Sequence, residues 1–442
     1  MNERQEEARF RRRAVKVDDA MEMVIAAAVP GRRENVPLWE AGGRRLAESA
    51  AATTDWPPFA RAGLDGFAVR SADTALASPG SPATLRVVAA VAAGELASAE
   101  VAPGTAVRIM TGGAVPSGAD AVVMLEQTAD ARLDGQAAVR VKSAARPGQN
   151  VAPRGEEFRR GSVFAGPGEL LRPGHVALLG TFGYAGVPVY ARPRVAVLAT
   201  GAELLPVEAP LAPGRIRDSN SAMVAALIGQ SGGVPVMLGR VPDEHEAAAR
   251  AVADALARCD MLITTGGVSV GDYDVMATLL RGIGIGEAAA DGEARQPQLS
   301  PQLPPDSRLL FNKAAMRPGA PTSAAIVSGK LLLALSGNPG ACFVGFELFA
   351  RPAIARLQGA SPEQARPKQA TARLVGGFAK GSPHERFVRA RLYAKNGVLY
   401  ADPLAFGKSS MLASLPSADG LIRLKPGASG AAEGEIVDVI LL

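Results

Sequence analysis

Two closely spaced carboxylates follow a glycine turn in ITTGGVSVGDYDVM, the segment from Ile263 to Met276. The segment begins as an apolar strand, breaks at its two glycines and then presents Asp272 and Asp274. Glycine lets backbone N–H groups approach an anion closely, and Mg²⁺ prefers oxygen ligands that it shares with phosphate groups. The segment therefore predicts a place where a phosphate and a divalent cation meet.

Two other predicted strands end in the same way. RVAVLATG ends at Thr200-Gly201, and LLLALSGNP ends in the turn Ser336–Pro339. In open parallel sheets, ligands bind beyond the carboxyl ends of the strands, where helix N-termini also favour anions. One such glycine could simply close a tight turn, whereas three converging turns favour phosphate binding. The residues predicted to bind substrate or phosphate at this edge are Thr200, Gly201, Asp218, Ser219, Asn220, Thr265, Gly266, Gly267, Ser269, Gly271, Ser336, Gly337, Asn338 and Pro339.

Charged residues near the three turns supply the remaining chemistry. The candidate metal ligands are Asp274, Asp272 and Glu203, with Mg²⁺ as the expected ion. Asp218 and Asp272 could instead cap helices. Lys313 and Arg317 lie four residues apart in FNKAAMRPGAP and could hold an oxyanion; a solvated pair is the alternative.

The elements that position these residues follow from the apolar pattern. Strand, glycine turn and helix alternate over 191–361, which predicts a doubly wound, mostly parallel α/β domain. The other predicted domains are an N-terminal linking domain from 1–54 and 146–190, an inserted β-rich domain at 55–145, and a small C-terminal β-barrel at 362–442. Helices are expected at 18–29, 37–51, 173–182, 219–231, 243–258 and 340–350. Asn396-Gly397 predicts a hairpin turn, and the polar, proline-rich segment 287–308 is interpreted as a loop.

Composition limits the class of protein. The chain has 442 residues, of which 48% are hydrophobic and 21% charged, as in folded proteins with several domains. Its formal charge of +5 is mild and suits anionic small molecules as well as nucleic acid. The Lys and Arg residues are spread out apart from the run 11–13, which is interpreted as a solvated turn, so no nucleic-acid partner is expected. Two cysteines and three histidines are too scattered for a zinc site or a disulfide framework. The absence of a long apolar run and of a signal peptide predicts a cytoplasmic protein with no membrane association.

The common signatures of other enzyme classes fail. Gly407-Lys408-Ser409 resembles the end of a Walker A loop, but Asp402 stands where the first glycine is needed. GIGIGE at 282–287 is not a dinucleotide-binding fingerprint, and no GxSxG motif occurs. Kinase, dehydrogenase and hydrolase interpretations therefore lose support.

Nine segments together resemble the molybdopterin molybdenumtransferase family, which comprises the MoeA proteins and the gephyrin E domain. They occur in family order from about residue 20 to the C-terminus. The segments are LDGFAV (64–69), VRIMTGGAVPSGADAVVMLE (107–126), PRGEEF (153–158), LATGAEL (198–204), IRDSN (216–220), TTGGVSVGDYD (264–274), FNKAAMRPGAP (311–321), SGNPGACFVGFE (336–347) and GKSSM (407–411).

The resemblance implies four subdomains and an elongated homodimer, with the active cleft formed by modules of both subunits. It implies that molybdate is inserted into adenylylated molybdopterin with release of AMP, assisted by Mg²⁺. A molybdopterin adenylyltransferase and the recipient molybdoenzymes are then expected partners. The catalytic positions that match are Asp65, Thr111, Glu157, Glu203, Asp243, Asp274, Lys313 and Arg317, and Ser409 and Ser410 match a substrate-binding serine pair.

The chain departs from the family pattern at several positions. Glu157 stands where the family has aspartate, Ala320 replaces the second basic residue of the KPGKP motif, and Ser336 replaces the first proline of PGNP. Two other functions stay open: a different enzyme built on the same α/β domain, such as a pyrophosphate-cleaving relative, and a non-catalytic scaffold. Residues 60–126 argue against the first alternative, and the retained charged residues argue against the second.

Overall fold

The computed structural model describes residues 13–92, 94–241, 244–268, 275–283, 303–404 and 411–442. The chain divides into two compact units. The large unit comprises Met1–Glu48, Pro167–Arg172 and Gly186–Leu442, and the small unit comprises Ser49–Gly166 and Pro173–Ala185. The small unit is thus inserted into the sequence of the large one.

A six-stranded sheet forms the centre of the large unit. The seven strands of this region, numbered in chain order, include one, β5, that does not belong to the sheet. They are β1 (Arg194–Ala199), β2 (Val234–Arg240), β3 (Met261–Thr265), β4 (Arg308–Phe311), β5 (Met316–Arg317), β6 (Ser323–Val327) and β7 (Lys330–Leu335). The strand order is β2-β1-β3-β7-β6-β4, and β5 lies outside this sheet. The first four strands in that order are parallel, while β6 and β4 are antiparallel to their neighbours. The predicted mostly parallel α/β fold is confirmed.

Helices cover both faces of this sheet, which explains why its central strands are apolar runs rather than alternating patterns. Alternate residues along β1 and β3 belong to two separate buried clusters, one on each face. One face packs against the helices Val17–Ala27 and Asn220–Gln230 and against a longer helical stretch. That stretch consists of Pro339–Gly345, the π-helical turn Phe346–Ala350 and Arg351–Leu357. The other face packs against His245–Arg258 and Val275–Arg281. A short helix, Pro362–Ala365, leads out of this domain.

A closed barrel follows the α/β domain, as predicted. Its strands are β8 (Gln369–Leu374), β9 (Glu385–Lys395), β10 (Val398–Pro403), β11 (Gly420–Leu424) and β12 (Ile436–Leu441). They pair in the cycle β9-β10-β8-β12-β11-β9, and a side ribbon pairs Phe378–Ser382 with Gly427–Ala431. The predicted hairpin turn is confirmed, because Asn396 and Gly397 both have positive φ and join β9 to β10.

The small unit is built on a second six-stranded sheet. Its strands, in spatial order, are Ala121–Met124, Gly66–Val69, Thr105–Ile109, Ala83–Val91, Gln136–Val141 and Thr128–Leu133. Two short ribbons pair Ala50–Ala51 with Val163–Ala165 and Arg61–Ala62 with Val151–Ala152. The helix Pro173–Thr181 completes this unit. The β-rich texture of the sequence between Thr53 and Ala145 therefore corresponds to one sheet.

The predicted helix at 37–51 is wrong. The strand Arg33–Pro37 pairs with Gly186–Tyr190, only Leu38–Glu40 forms a 3-10 turn, and Ala50–Ala51 is a strand. Pro37 and the Gly42-Gly43 pair interrupt a helix here, and Gly43 has φ +75. Arg45 and Leu46 instead form isolated antiparallel β-bridges with Leu170 and Val189. The other five predicted helices begin and end within a few residues of their predicted bounds, whereas the helices Val275–Arg281, Arg351–Leu357 and Pro362–Ala365 were not predicted.

Across the described ranges, no helix combines the length and apolar character that a membrane crossing requires. Cys259 and Cys342 are both buried free thiols. Burial raises the pKa of the Cys342 thiol to about 12.

Candidate functional site

The three glycine turns meet at the carboxyl edge of the α/β sheet and are joined by backbone hydrogen bonds. Thr200 N donates to Thr265 O at 2.9 Å, which ties the first turn to the second. Gly266 N donates to Leu335 O, also at 2.9 Å, which ties the second turn to the third. The convergence expected from the sequence is therefore present in the structure.

The glycines of the second turn cannot be replaced by residues with side chains without a clash. Gly266 and Gly267 have φ +84 and +65, a region that L-residues seldom adopt. A Cβ on Gly266 would lie 2.6 Å from Thr200 O, and one on Gly267 would lie 2.5 Å from Thr200 Oγ1. The close approach of two turns is what requires glycine here.

Glu203 bends back over the first turn. A Cβ on Gly201, whose φ is +138, would lie 2.5 Å from Glu203 Oε2. Glu203 is exposed, and its backbone carbonyl accepts a hydrogen bond from Ile216 N at 2.9 Å. The backbone of Glu203 is thus fixed at the strand edge, and its exposed carboxylate lies beside Gly201.

Asp218 and Asn220 occupy the start of the helix Asn220–Gln230. Asp218 Oδ1 accepts a hydrogen bond from Ser221 N at 3.0 Å, so this carboxylate caps the helix. Helix capping was the alternative to ligand binding that the sequence left open for Asp218. Asn220 Nδ2 donates to Gly337 O at 2.9 Å and joins the helix to the third turn. Ser219 makes no side-chain cap bond. Asn220 therefore faces the turns more directly than Asp218.

Several buried oxygens at this edge have no hydrogen-bond partner among the described residues. They are Thr264 Oγ1, Thr265 Oγ1, Asn220 Oδ1 and Ser221 Oγ. Thr264 and Thr265 end β3 and are 0% and 1% exposed. Because buried polar groups are normally satisfied, unpartnered ones deserve a functional explanation. Their oxygens suit a hard cation or a polar ligand.

The third turn is completed by a capped helix start. Asn338 Oδ1 accepts from Ala341 N at 3.4 Å, and Pro339 is the first residue of the helix Pro339–Gly345. Asn338 N lies 3.4 Å from Ser336 Oγ. A Cβ on Gly337 would lie 3.3 Å from Gly266 Cα, so the second and third turns pack closely.

Lys313 and Arg317 lie at the same edge of the sheet. β4 runs parallel to β7, because β6 lies between them and is antiparallel to both. The loop that follows β4 therefore leaves the sheet on the side of the glycine turns. With strands about 4.8 Å apart, β4 and β7 are separated by roughly 10 Å. Lys313 is half-buried and Arg317 is exposed.

In the small unit, Asp65 and Thr111 form a close pair. Thr111 N and Thr111 Oγ1 both donate to Asp65 Oδ1, each at 2.7 Å. The Thr111 side chain, its backbone N–H and the charge of Arg108 lower the pKa of Asp65 below its ordinary value. Gly112 N donates to Ala62 O at 2.8 Å and fixes this turn against the strand Arg61–Ala62. The pair thus presents an ionised carboxylate.

Glu157 lies beside the same strand. Its Oε1 accepts from Arg61 Nη2 at 3.0 Å, and the Arg61 guanidinium stacks over Trp56 at 5.6 Å from the ring centroid. The structure thus brings all three candidate residues of the small unit to the neighbourhood of one short strand. The extra carbon of Glu157, compared with aspartate, is accommodated by this ion pair with Arg61.

Seven predicted site residues lie outside the described residues: Asp243, Ser269, Gly271, Asp272, Asp274, Ser409 and Ser410. Glu203 is the only proposed metal ligand inside them. Across the described part of the chain, no three His, Cys, Asp or Glu side chains form a group that could hold a metal ion. The metal ligand set therefore stays a prediction.

Sequence reasoning missed two polar residues that the structure places among the candidates, Ser221 and Arg61, and it named Thr264 only as the start of the second turn. Thr264 and Ser221 belong to the unpartnered oxygens, and Arg61 binds Glu157. Two threonines at the end of an otherwise apolar strand were an available signal, since a buried hydroxyl needs a partner. Arg61 gave no comparable signal, because its partner lies 96 residues away in the sequence.

Family models match most of the chain in three consecutive pieces. Residues 15–183 match the MoeA N-terminal region (domain I and II), residues 196–356 a probable molybdopterin binding domain, and residues 371–442 the MoeA C-terminal region (domain IV). The molybdopterin molybdenumtransferase of Bacillus subtilis is 41% identical over 433 residues, which cover 98% of this chain and 95% of that protein. The chain belongs to the molybdopterin molybdenumtransferase family.

Other members of the molybdopterin molybdenumtransferase family align over the same length. The Staphylococcus epidermidis protein of that name is 36% identical, with 98% of this chain and 96% of that protein covered. The crystal structure of the molybdopterin biosynthesis MoeA protein from Pyrococcus horikoshii superposes with a TM-score of 0.78 at 29% identity. That superposition covers 97% of this chain and 100% of the other. The nine segments thus identified the family correctly from the sequence.

Proposed function

We propose that the protein is a molybdopterin molybdenumtransferase, which inserts molybdate into adenylylated molybdopterin and releases AMP. The observation that carries the proposal is the junction of the three glycine turns, where Thr200 N donates to Thr265 O and Gly266 N donates to Leu335 O. Beside this buried junction, Gly337 is exposed and Gly201 and Gly267 are half-buried, and glycine backbone at such a strand edge suits the pyrophosphate of the substrate. Relatives that bear the name of this activity match the chain over nearly its whole length.

The roles of the residues follow from their positions. The turn backbones and Asn220 would bind the phosphate groups, and Lys313 and Arg317 would hold the molybdate dianion or a phosphate by charge-assisted hydrogen bonds. In the small unit, Asp65 is kept ionised by Thr111. Fixed positive groups near a phosphate stabilise the charge that develops during P–O cleavage.

Mg²⁺ belongs to the proposal. The donor set fits the ion, because the Glu203 carboxylate and the unpartnered oxygens of Asn220 and Thr265 are hard ligands. Asp272 and Asp274 are the further proposed ligands. When bound, Mg²⁺ would neutralise charge on the pyrophosphate. Glu203 itself contributes a fixed carboxylate beside the first turn.

The decisive experiment measures AMP release from adenylylated molybdopterin with Mg²⁺, in the presence and absence of molybdate. We expect release that depends on both, with Glu203→Gln reducing the rate about 100-fold and raising the Mg²⁺ concentration that is needed. Glu208→Gln is the matched control, because Glu208 is exposed in the same loop. Release without molybdate would identify a pyrophosphate hydrolase, and no release from the folded protein would favour a scaffold.

Four further features are inferred from the family resemblance: four subdomains, a homodimer, a cytoplasmic location, and contacts with a molybdopterin adenylyltransferase and with recipient molybdoenzymes. Light scattering coupled to size-exclusion chromatography tests the dimer directly. A monomer at micromolar concentration would contradict it.

A further inference from the structure

The loop that carries Lys313 and Arg317 is closed by three backbone hydrogen bonds of its own. Ala314 N donates to Ala320 O at 2.9 Å, Met316 N donates to Ala314 O at 2.8 Å, and Thr322 N donates to Gly319 O at 2.9 Å. The segment is otherwise short of regular structure and contains Pro318, Gly319 and Pro321. An oxyanion-binding loop gains from being ordered before the ligand arrives, because the cost of ordering it is then not subtracted from binding. Neighbouring segments must therefore hold this loop.

One neighbour is the N-terminal segment before the first helix. Val15 N donates to Lys313 O at 2.9 Å, and Ala315 N donates to Val15 O at 2.7 Å. These two bonds form a parallel bridge between Val15 and Ala314. The main chain on both sides of Ala314 is thus fixed by a residue about 300 positions earlier in the sequence.

The other neighbour is the barrel strand β9. Glu385 N donates to Ala315 O at 3.3 Å, and β5 pairs with β9 so that Met316 is opposite Glu385 and Arg317 is opposite Arg386. Ala315 consequently bonds to the N-terminal segment through its N–H and to the barrel through its carbonyl. The loop lies between these two segments.

Arg423 joins the two segments that flank the loop. Its Nε donates to Glu385 Oε2 at 2.7 Å, and its Nη2 donates to Glu385 Oε1 at 3.0 Å and to Asp18 Oδ2 at 2.8 Å. Asp18 lies three residues after Val15. The side chains of Arg423 and Glu385 are only 15% and 16% exposed, so the two charge-assisted bonds between them are largely protected from water, whereas the Asp18 carboxylate is exposed.

We propose that Arg423 is a positioning residue for the oxyanion-binding loop: it ties Asp18 to Glu385 and so holds Val15 and β9 against Lys313–Arg317. The inference deepens the proposed function and rests on it for the identity of the oxyanion. Arg423 itself is neutralised by two carboxylates and does not bind the oxyanion. Its effect reaches the ligand through the backbone of the loop.

The test replaces Arg423 by Met, which keeps the length of the side chain but removes all three hydrogen bonds. We expect the KM for molybdate to rise about tenfold, while the KM for adenylylated molybdopterin and kcat stay within about twofold. Arg423→Lys keeps the charge but loses the planar guanidinium that bonds both carboxylates, so its KM for molybdate should lie between those of wild type and Arg423→Met. Arg391→Met is the matched control, because Arg391 is an exposed arginine of the same barrel, on β9, the strand that carries Glu385.

A merely structural role would give a different result. Arg423→Met would then lower the melting temperature and the active fraction, and both KM values would stay unchanged. Unchanged kinetics throughout would also overturn the proposal. If Arg423→Met does not fold, Asp18→Asn serves instead, because Asp18 is exposed and supplies only one of the three bonds; about a threefold rise in the molybdate KM is expected.

Amide hydrogen exchange keeps this test independent of activity. In Arg423→Met, the Ala315 and Val15 amides should exchange at least about tenfold faster than in wild type, while amides of the strand β3 keep their rates. If wild type releases no AMP but these amides respond, the proposed function fails and the positioning role stands. If wild type is active and the amides do not respond, the positioning role fails alone.

Discussion

At the edge of the α/β sheet, main-chain hydrogen bonds join the segments of the candidate site, whereas in the small unit the candidate site depends on a side-chain carboxylate and the donors that hold it. The three turns are linked by the backbone bonds Thr200–Thr265 and Gly266–Leu335, and the second turn leaves space only for glycine. Asp65 is held by two donors of one residue, Thr111. A backbone site is damaged by adding atoms, and a side-chain site by removing them. The two regions should therefore respond to opposite kinds of substitution.

The largest effect is expected from Gly266→Ala. The added methyl would meet Thr200 O at 2.6 Å in a backbone conformation with φ +84. We expect the rate of AMP release to fall more than about 100-fold, with a loss of about 1–3 kcal/mol in the free energy of unfolding. Denaturant titration and single-turnover kinetics measure the two effects. Gly229→Ala is the control, since it lies in a helix with open space around it, and it should be neutral or stabilising by up to about 1 kcal/mol.

Next in size is Asp65→Asn, which removes a charge without removing the oxygen that Thr111 contacts. We expect kcat to fall about 10- to 100-fold with only a small decrease in melting temperature, because Asp65 is exposed. Asp130→Asn, an exposed substitution in the same unit, should leave kcat unchanged. A drop in stability that matches the drop in kcat would contradict a chemical role.

The pH dependence of this pair has a defined sign. Thr111 lowers the pKa of Asp65, so its contribution to stability is present above the unfolded-state pKa, about 3.9, and disappears as pH falls through the lower folded-state pKa. Asp65 therefore stays ionised throughout the range in which the enzyme is assayed. The rate of AMP release by Asp65→Asn, divided by the wild-type rate, should therefore be constant from about pH 5 to about pH 9. A ratio that changes with pH in this range would contradict the assignment.

A smaller effect is expected from Thr111→Val, which deletes one of the two donors to Asp65 and keeps the backbone N–H. The pKa of Asp65 should move back towards its ordinary value, and kcat should fall about threefold to tenfold. Thr111→Ser keeps both donors and should retain nearly full activity. Carboxyl titration by NMR follows the pKa, and equal effects of Val and Ser would show that the hydroxyl is not the cause.

The smallest effect on activity is expected at Asp218, which contacts its own helix. Asp218→Ala should lower the free energy of unfolding by about 1 kcal/mol, because the cap on Ser221 N is lost, while Asp218→Asn should keep most of the stability. Activity should stay close to wild type in the Asn variant. Asp218→Asn with normal stability but a large rise in KM would instead place this carboxylate against the ligand.

Local patterns in the sequence predicted the α/β edge well. Parallel strands buried on both faces give apolar runs, and the glycines that follow them are visible in RVAVLATG and DMLITTGG. The contact between Asp65 and Thr111 spans 46 residues and could be anticipated only through the family resemblance. The helix expected at 37–51 failed because pairing with Gly186–Tyr190 outweighed local helix propensity. Of the unpartnered hydroxyls, those of Thr264 and Thr265 were signalled by their place at the end of an apolar strand, whereas that of Ser221 required knowledge of burial, which no local pattern supplies.

The discontinuity of the large unit has a consequence for the order of folding during synthesis. The small unit has all of its residues by Ala185, so it can fold as soon as that part of the chain leaves the ribosome. Val15 and Asp18 must wait for Lys313 and Arg423, the latter 405 residues beyond Asp18. At about 5–20 residues per second, that delay lasts roughly 20–80 seconds. During this interval Val15 and Asp18 lack their native hydrogen-bond partners, and non-native contacts made by this segment would delay assembly of the large unit.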